Sequence, residues 1–408
     1  MSESTGVDED LSAPTGQGQR RDLWSAVVAV TSITLPTFLV GTLAVQIRAS
    51  LHFDPVELGV VVGCSYAASA VFAIPSGNLA EQFSGLRMLR YSALVSAGAL
   101  LLIATLVQSW PELAAALVIA GAASSAGQTA ANLFLSRRIE AGHQGLAFGI
   151  KQASVPMASL LGGVSVPVVA LTIGWRWAFV ISAVIAVISF LLLPHPRLSM
   201  AAHRAAAAVR PRHEPTLPLV ALALGFGLTL TACSSLGAFL VVSAVAQGIG
   251  VAQAGLVAAL ASAGAIAVRI LVGFLADHRQ GRHLVFVVFM MVVGATGFSF
   301  MAWGSALRSP ALFVPGAVVA FAVGWGWNGL FNFAVVRTHP RSPARATGIT
   351  QTGGRLGSVI GPLIFGLLVV HVGYSGAWAV AGGEMLLGAG MMLVARRLLV
   401  RRIAAGQP

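Results

Sequence analysis

Residues Gly77–Arg87 read GNLAEQFSGLR, and 196 positions later Gly273–His283 read GFLADHRQGRH. Each stretch follows a long apolar run and ends in a short basic loop. A second pair recurs at nearly the same distance: Gly149, Ile150 and Gln152 with Trp175–Phe179 answer Gly348, Ile349 and Gln351 with Tyr374–Trp378, 199 positions on. Two independent matches at almost one offset are hard to produce by composition alone, so the chain reads as two related halves.

The segments around these marks are too apolar for water. Of 408 residues, 57% are hydrophobic and 9% charged, and the mean hydropathy is +0.85. A bilayer core about 30 Å thick takes roughly 20 apolar residues in a helix, and runs of that length follow one another along the chain. Backbone facing lipid must satisfy its own hydrogen bonds, so the runs are expected to be helices; they are too long for barrel strands. We place twelve spans at about 24–46, 57–80, 91–110, 113–135, 145–171, 177–194, 216–245, 253–276, 284–306, 311–336, 346–371 and 377–395. The expected organisation is a disordered polar tail (1–23), a six-helix bundle (24–194), a linker (195–215), a second six-helix bundle (216–395) and a second tail (396–408). No small-residue cleavage site follows the first run, so it is expected to be retained. Cys64 and Cys233 both fall inside apolar runs and imply neither disulfide nor metal.

The formal net charge of +12 invites a nucleic-acid reading, but its distribution opposes one. Under the span map one set of connections holds nineteen arginines, while the other holds only Arg48, Arg176 and Arg308. That asymmetry is the positive-inside pattern, and with an even number of spans it puts both termini in the cytoplasm of an inner-membrane protein.

Two similar six-helix halves, a long connector, and G-x-L-A-[DE] loops after the second and eighth spans resemble the major facilitator superfamily over residues 20–403. The resemblance implies an all-α membrane protein of two pseudo-symmetric six-helix bundles, a secondary transporter working by alternating access. It also implies that Gly77 and Gly273 let neighbouring helices approach and that Glu81 and Asp277 are cytoplasmic gate acids. Their natural partners are Arg87, Arg282, Arg137 and Arg138, because a carboxylate there can meet both a helix N-terminus and a guanidinium. The chain departs from the usual pattern at Glu81, at Gln82 and His278, and in the late glycines Gly85 and Gly281.

Ionisable groups within a bilayer are costly and therefore informative. Away from the span ends, the chain carries Lys151, Arg269, Arg355 and Glu384. Three of these are cations, on the fifth, eighth and eleventh spans, which the family resemblance puts beside the central cavity. Lys151 is also the only lysine, the other 24 basic residues being arginine. A compact ammonium suits reversible ion binding or proton coupling, although a snorkelling lysine is the plainer alternative. Arg355 lies mid-span, and its planar fork suits a carboxylate. The small-residue stripes Ser154, Ala158, Gly162 and Gly353, Gly357, Gly361 suit close helix packing. Arg355 falls roughly 160° from its stripe on a helical wheel, whereas Lys151 lies close to its own. Gln128, Asn132, Trp327, Asn328, Asn332 and Gln351 complete the candidate site, with Trp325 and the threonines 31, 34 and 37 as further polar or aromatic neighbours.

These residues point to a small anionic solute moved through the lipid bilayer, with a proton or counter-ion as possible coupling partner, by a chain expected to act as a monomer. The alternative is a proton-coupled exporter of drugs or amphipaths. Against it, no acid lies within the first six spans away from their ends, and the fifth lacks a G-P-x-x-G-G pattern, its Pro156 standing apart from Gly162–Gly163. No nucleotide motif, cofactor site, metal-ligand set or clustered nucleophile is present in the sequence, so an enzyme is not expected.

Overall fold

The computed structural model describes residues 16–140, 144–194, 216–278, 283–339 and 343–404. The expected linker 195–215 and the outermost residues of both tails lie outside this set. The described residues are helical with short turns. Helix α1 is Gly16–Thr42, continued by Ala44–Leu51. Helix α2 is Pro55–Val71 and Ala73–Phe83, kinked at Phe72. Next come α3 (Gly85–Thr105) and α4 (Trp110–Arg138). Helix α5 is built from Gln144–Gln152, Ser154–Ser165 and a wider turn Val166–Ala170, and α6 is Trp175–Leu192. The second half has α7 (Thr216–Ala246), α8 (Val251–His278), α9 (His283–Leu307) and α10, in two pieces, Pro310–Ala322 and Asn328–Thr338. The last helical stretch, Pro343–Ala404, is divided at Gly373 (φ 69°) into α11 and α12.

Local chemistry sets these boundaries. Asp54 and Glu57 close a capping box at the start of α2, with Pro55 in the first turn where its missing N–H costs nothing. Proline opens α4 and α10 in the same way. The sequence repeat returns in the backbone. Gly174 (φ 104°) and Gly373 (φ 69°), 199 apart, turn the chain into α6 and α12, and His52 (φ 54°) and Gly248 (φ 86°), 196 apart, turn it into α2 and α8. The two termini of the helical body lie at one face, called here the terminal face.

The first and last helices run beyond the expected spans. Helix α1 starts at Gly16, inside the stretch expected to be disordered, and α12 runs through Arg396 and Arg397 to Ala404. The early turns of α1 are held by polar contacts beyond the apolar run: Asp22 pairs with Arg138 at 3.5 Å, and Gln19 donates to Glu140.

Packing is uneven across the thickness of the protein. One cluster of buried apolar side chains runs through the second half and crosses into the first at Leu39, Leu43, Ile47, Leu58 and Val61, near the face opposite the termini. A separate cluster around Val30, Ile33, Leu89, Phe134 and Leu135 fills the terminal end of the first half. Glycines mark the close approach at the opposite face. A methyl group on Gly41, Gly59 or Gly163 would run into the backbone oxygen of Gly237, Pro362 or Gly255, respectively, in the other half. Near the terminal face Gly77 and Gly273 have open space where a Cβ would stand. The halves therefore meet tightly at the face opposite the termini.

Candidate functional site

Each small-residue stripe packs within its own half. Gly353, Gly357 and Gly361 lie against the backbone of α7 at Ala223, Gly227 and Thr231. In α5, Ser154 donates to the Val27 carbonyl of α1, and Gly162 abuts Thr42. This resolves the helical-wheel mismatch. Arg355, on the opposite side of α11 from the stripe, points to the other half, whereas Lys151 lies near the side of α5 that meets α1.

Arg355 crosses the seam between halves. Its Nη1 donates to the backbone oxygen of Ser69 at 2.7 Å and to Ser125 Oγ at 3.4 Å, joining α11 to α2 and α4. Ser69 sits one turn before the α2 kink at Phe72, which lies three residues before Pro75. On α4, Ser125, Gln128 and Asn132 follow at helical spacing on one face, so Arg355 docks at the inner end of a polar stripe. Gln351, one turn before Arg355, donates to Asn332 at 2.9 Å, and Asn332 faces Asn328 at 3.5 Å. Arg355 with Ser125, and Gln351 with Asn332 and Asn328, thus form two hydrogen-bonded groups one turn apart on α11.

Arg269 makes a second crossing from α8. Its Nη1 donates to the backbone oxygen of Gln152 in α5, and its Nη2 to that of Trp325 at 3.1 Å. Both acceptors sit at helix interruptions with sequence causes. In an unbroken α-helix the Gln152 carbonyl would accept from residue 156, but Pro156 has no N–H to give. The Ala153 amide turns back to Ile150 instead, and the Gln152 oxygen is left for the arginine. Trp325 lies in the turn 323–327, within Gly324-Trp325-Gly326-Trp327, that splits α10. Irregular backbone of this kind is tolerated at membrane depth where protein or a cavity supplies partners. The Nε–H of Arg269 is buried with no acceptor, and the residue as a whole is 7% exposed.

Lys151 is 2% exposed, and among the described residues its Nζ has one partner, Gln152 Oε1, at 3.4 Å. Among the described residues none of Lys151, Arg269 and Arg355 has a carboxylate partner. Trp327 stands elsewhere. It is fully buried between Phe226 and Phe331 inside the second half, with its indole N–H given to Gly324. Its tryptophan neighbour Trp325 supplies the site only with a main-chain oxygen.

Of the expected gate, Arg282 and the side chains of Glu81 and Asp277 lie outside the described residues. Arg137 is exposed, Arg87 is half-buried, and Arg138 is engaged by Asp22. No three His, Cys, Asp or Glu side chains converge as a metal site would need, among the described residues. Ser69 and Ser125 were missed by sequence reasoning. Nothing in the sequence distinguishes those serines, whereas the free carbonyl at Gln152 is signalled by Pro156 four positions on.

Comparison with known proteins places this arrangement. The family model described as Major Facilitator Superfamily matches residues 26–354 and again 222–406, the second match starting 196 residues after the first, which is the spacing of the repeated loops. The chain belongs to the major facilitator superfamily and is a multi-pass membrane transporter. A crystal structure of a bacterial homologue of the human lysosomal transporter Spinster, in an inward-facing and occupied conformation, is similar with a TM-score of 0.67 over 93% of this chain and 95% of that one, at 15% identity. At that identity the likeness speaks for the fold. No curated protein matches this chain.

Proposed function

We propose that this transporter moves a small organic or inorganic anion by alternating access, and that Arg355 and Arg269 are its principal ligands. One observation carries the reading: the buried guanidinium of Arg269 and the half-buried one of Arg355 donate at the seam only to neutral oxygens, and among the described residues the Nε–H of Arg269 has no acceptor. An arginine at mid-membrane costs about 2.5–3.5 kcal/mol on insertion scales, and neutral acceptors leave its charge uncompensated. A bound anion would supply the missing charge and the missing acceptor together. Gln351, Asn332, Asn328, Gln128 and Asn132 line the approach as neutral hydrogen-bonding groups that set orientation. Trp327 has no part in it beyond packing.

The same contacts suggest how occupancy changes the protein. Each arginine belongs to the second half and is held by a carbonyl of the first, so an anion that takes over its N–H groups also changes the tie between halves. Lys151, close to Gln152, would adjust the potential at that tie. The terminal face is the cytoplasmic side on the charge asymmetry of the loops, and the membrane is the inner one. A proton or counter-ion completes the cycle, and the protein acts as a monomer.

The test is uptake by proteoliposomes of labelled mono- and dicarboxylates, phosphate and sulfate, run beside cationic dyes. Arg355→Gln is expected to cut anion uptake about ten-fold or more, the worth of one charged hydrogen bond, with the protein still monodisperse. Export of cationic dyes that survives Arg355→Gln and Arg269→Gln unchanged would favour the drug-export alternative and remove the anion reading.

A further inference from the structure

Away from the arginine seam, the two halves border a second, open recess at the face opposite the termini. Its volume is about 430 Å³, within the range of small-molecule sites. The first half contributes Val45, Arg48 and Phe53, from the end of α1 and the turn after it; the second contributes Val242 and Val245 from α7 and Tyr374 at the start of α12. The wall is therefore apolar with one cation and one phenol. Arg48 is one of only three arginines that the loop count assigns to this face. It is held in place: its Nε donates to the Phe53 carbonyl at 3.0 Å, which fixes the guanidinium plane, and its Nη groups have no acceptor among the described residues.

The nearest carboxylates along the chain do not neutralise it. Asp54 and Glu57 are spent on each other's backbone, the Asp54 N–H donating to Glu57 Oε2 at 2.7 Å and the Glu57 N–H to Asp54 Oδ1 at 2.9 Å. Tyr374 lies close enough for the charge of Arg48 to act on its hydroxyl. A fixed guanidinium edge, a phenol O–H and a flat apolar wall select a carboxylate on an apolar, preferably aromatic, body.

We propose that this recess is a second ligand site, separate from the arginine seam, which takes a soluble amphipathic monocarboxylate from the side opposite the termini and holds that face shut. Holding follows from the lining. Half of the named wall belongs to each bundle, so the ligand contacts both only while this face is closed, and a ligand that prefers one state shifts the population toward it. The hold rests on the alternating-access reading above; the binding itself does not.

The probe is 2-naphthoate, with 2-naphthylmethylammonium as its cationic counterpart, added to the full chain in nanodiscs of phosphatidylcholine alone. Saturable binding of naphthoate is expected, with the ammonium compound binding at least ten-fold more weakly. Arg48→Gln is expected to weaken naphthoate at least ten-fold. Val245→Glu, which places a carboxylate in the recess without touching Arg48, is expected to do the same, and both variants are checked for an unchanged elution profile. Arg355→Gln is expected to bind naphthoate as the wild type does while losing anion uptake, so failure of the seam reading and failure of this one give different results. Equal binding of the two probes, undiminished binding in Arg48→Gln, or loss of binding in Arg355→Gln would overturn the second site. Displacement of naphthoate by phosphatidylglycerol in the disc would reassign the recess to a lipid headgroup and overturn it as a soluble-ligand site. In proteoliposomes, naphthoate on the Arg48 side is expected to slow uptake without changing the apparent KM; competition with substrate instead would sink the hold.

Discussion

The two halves share a fold and a repeat but are fastened differently. In the first half, arginines clamp α3 and α6 at both ends. Arg90, near the start of α3, donates to the carbonyls of Leu193 and Pro194 after α6 and lies 4.3 Å from the Phe190 ring. Arg176, at the start of α6, donates to Ile103, Ala104 and Val107 at the end of α3 and lies 4.5 Å from the Trp175 ring. Each cation thus meets the negative end of a helix with orphaned carbonyls. The repeat positions of the second half carry no arginine: Ser375 stands 199 positions after Arg176, and Phe286 and Phe289 stand at the repeat offsets from Arg90. It relies on glycine contacts, Gly294 on Gly324 and Gly297 on Gly316, and on a ring cluster of Phe239, Phe298, Phe365 and Trp378. The half whose repeat positions lack these arginines is the one that sends Arg269 and Arg355 across the seam. One bundle is built as a frame, the other as the partner that reaches out and lets go.

The strongest way to break this contrast is at Gly357, whose side against Gly227 has no room for a Cβ. Gly357→Leu is expected to cost more than about 4 kcal/mol, and size-exclusion profiles should show little folded protein. Arg90→Gln and Arg176→Gln should each lower stability by about 1–3 kcal/mol, because each leaves carbonyls without their donor. Thermal unfolding of the double variant should give close to the sum, since the clamps sit at opposite ends of the helices. Pro156→Ala sharpens the comparison at the seam. It gives residue 156 an N–H that competes with Arg269 for the Gln152 oxygen, so transport is expected to change several-fold with thermal stability altered by less than about 1 kcal/mol. Smallest of all, Gly77→Ala and Gly273→Ala meet open space and should change stability by no more than about 0.5 kcal/mol. A fall in turnover in either would mark a closed state in which that space is filled.

The fold was legible because lipid imposes a single backbone solution and apolar length reports it directly. Nine helical stretches among the described residues are long and apolar enough to cross a membrane; one of them, Arg345–Arg401, contains two crossings, and two shorter helices, Pro55–Val71 and Pro310–Ala322, belong to interrupted crossings, which makes twelve. The interruptions were harder to see. Pro156 announces one, but the turn at 323–327 arises in a run whose tryptophans read as cavity walls. The cations were easy to find, since a charge in an apolar run has few excuses, and the helical wheel set Arg355 and Lys151 on different sides of their stripes. Their partners were hidden because they are main-chain atoms, and Trp327 was misjudged because an aromatic ring looks alike in sequence whether it faces a cavity or a core.

That last point reaches into how such a protein drifts. Because Ser69, Gln152 and Trp325 hold the seam arginines through peptide oxygens, replacing any of their side chains leaves the contact intact, and no compensating pair need appear between these positions and 269 or 355. Revertants of a weakened arginine should instead arise where a proline or glycine is gained or lost within a turn of those oxygens.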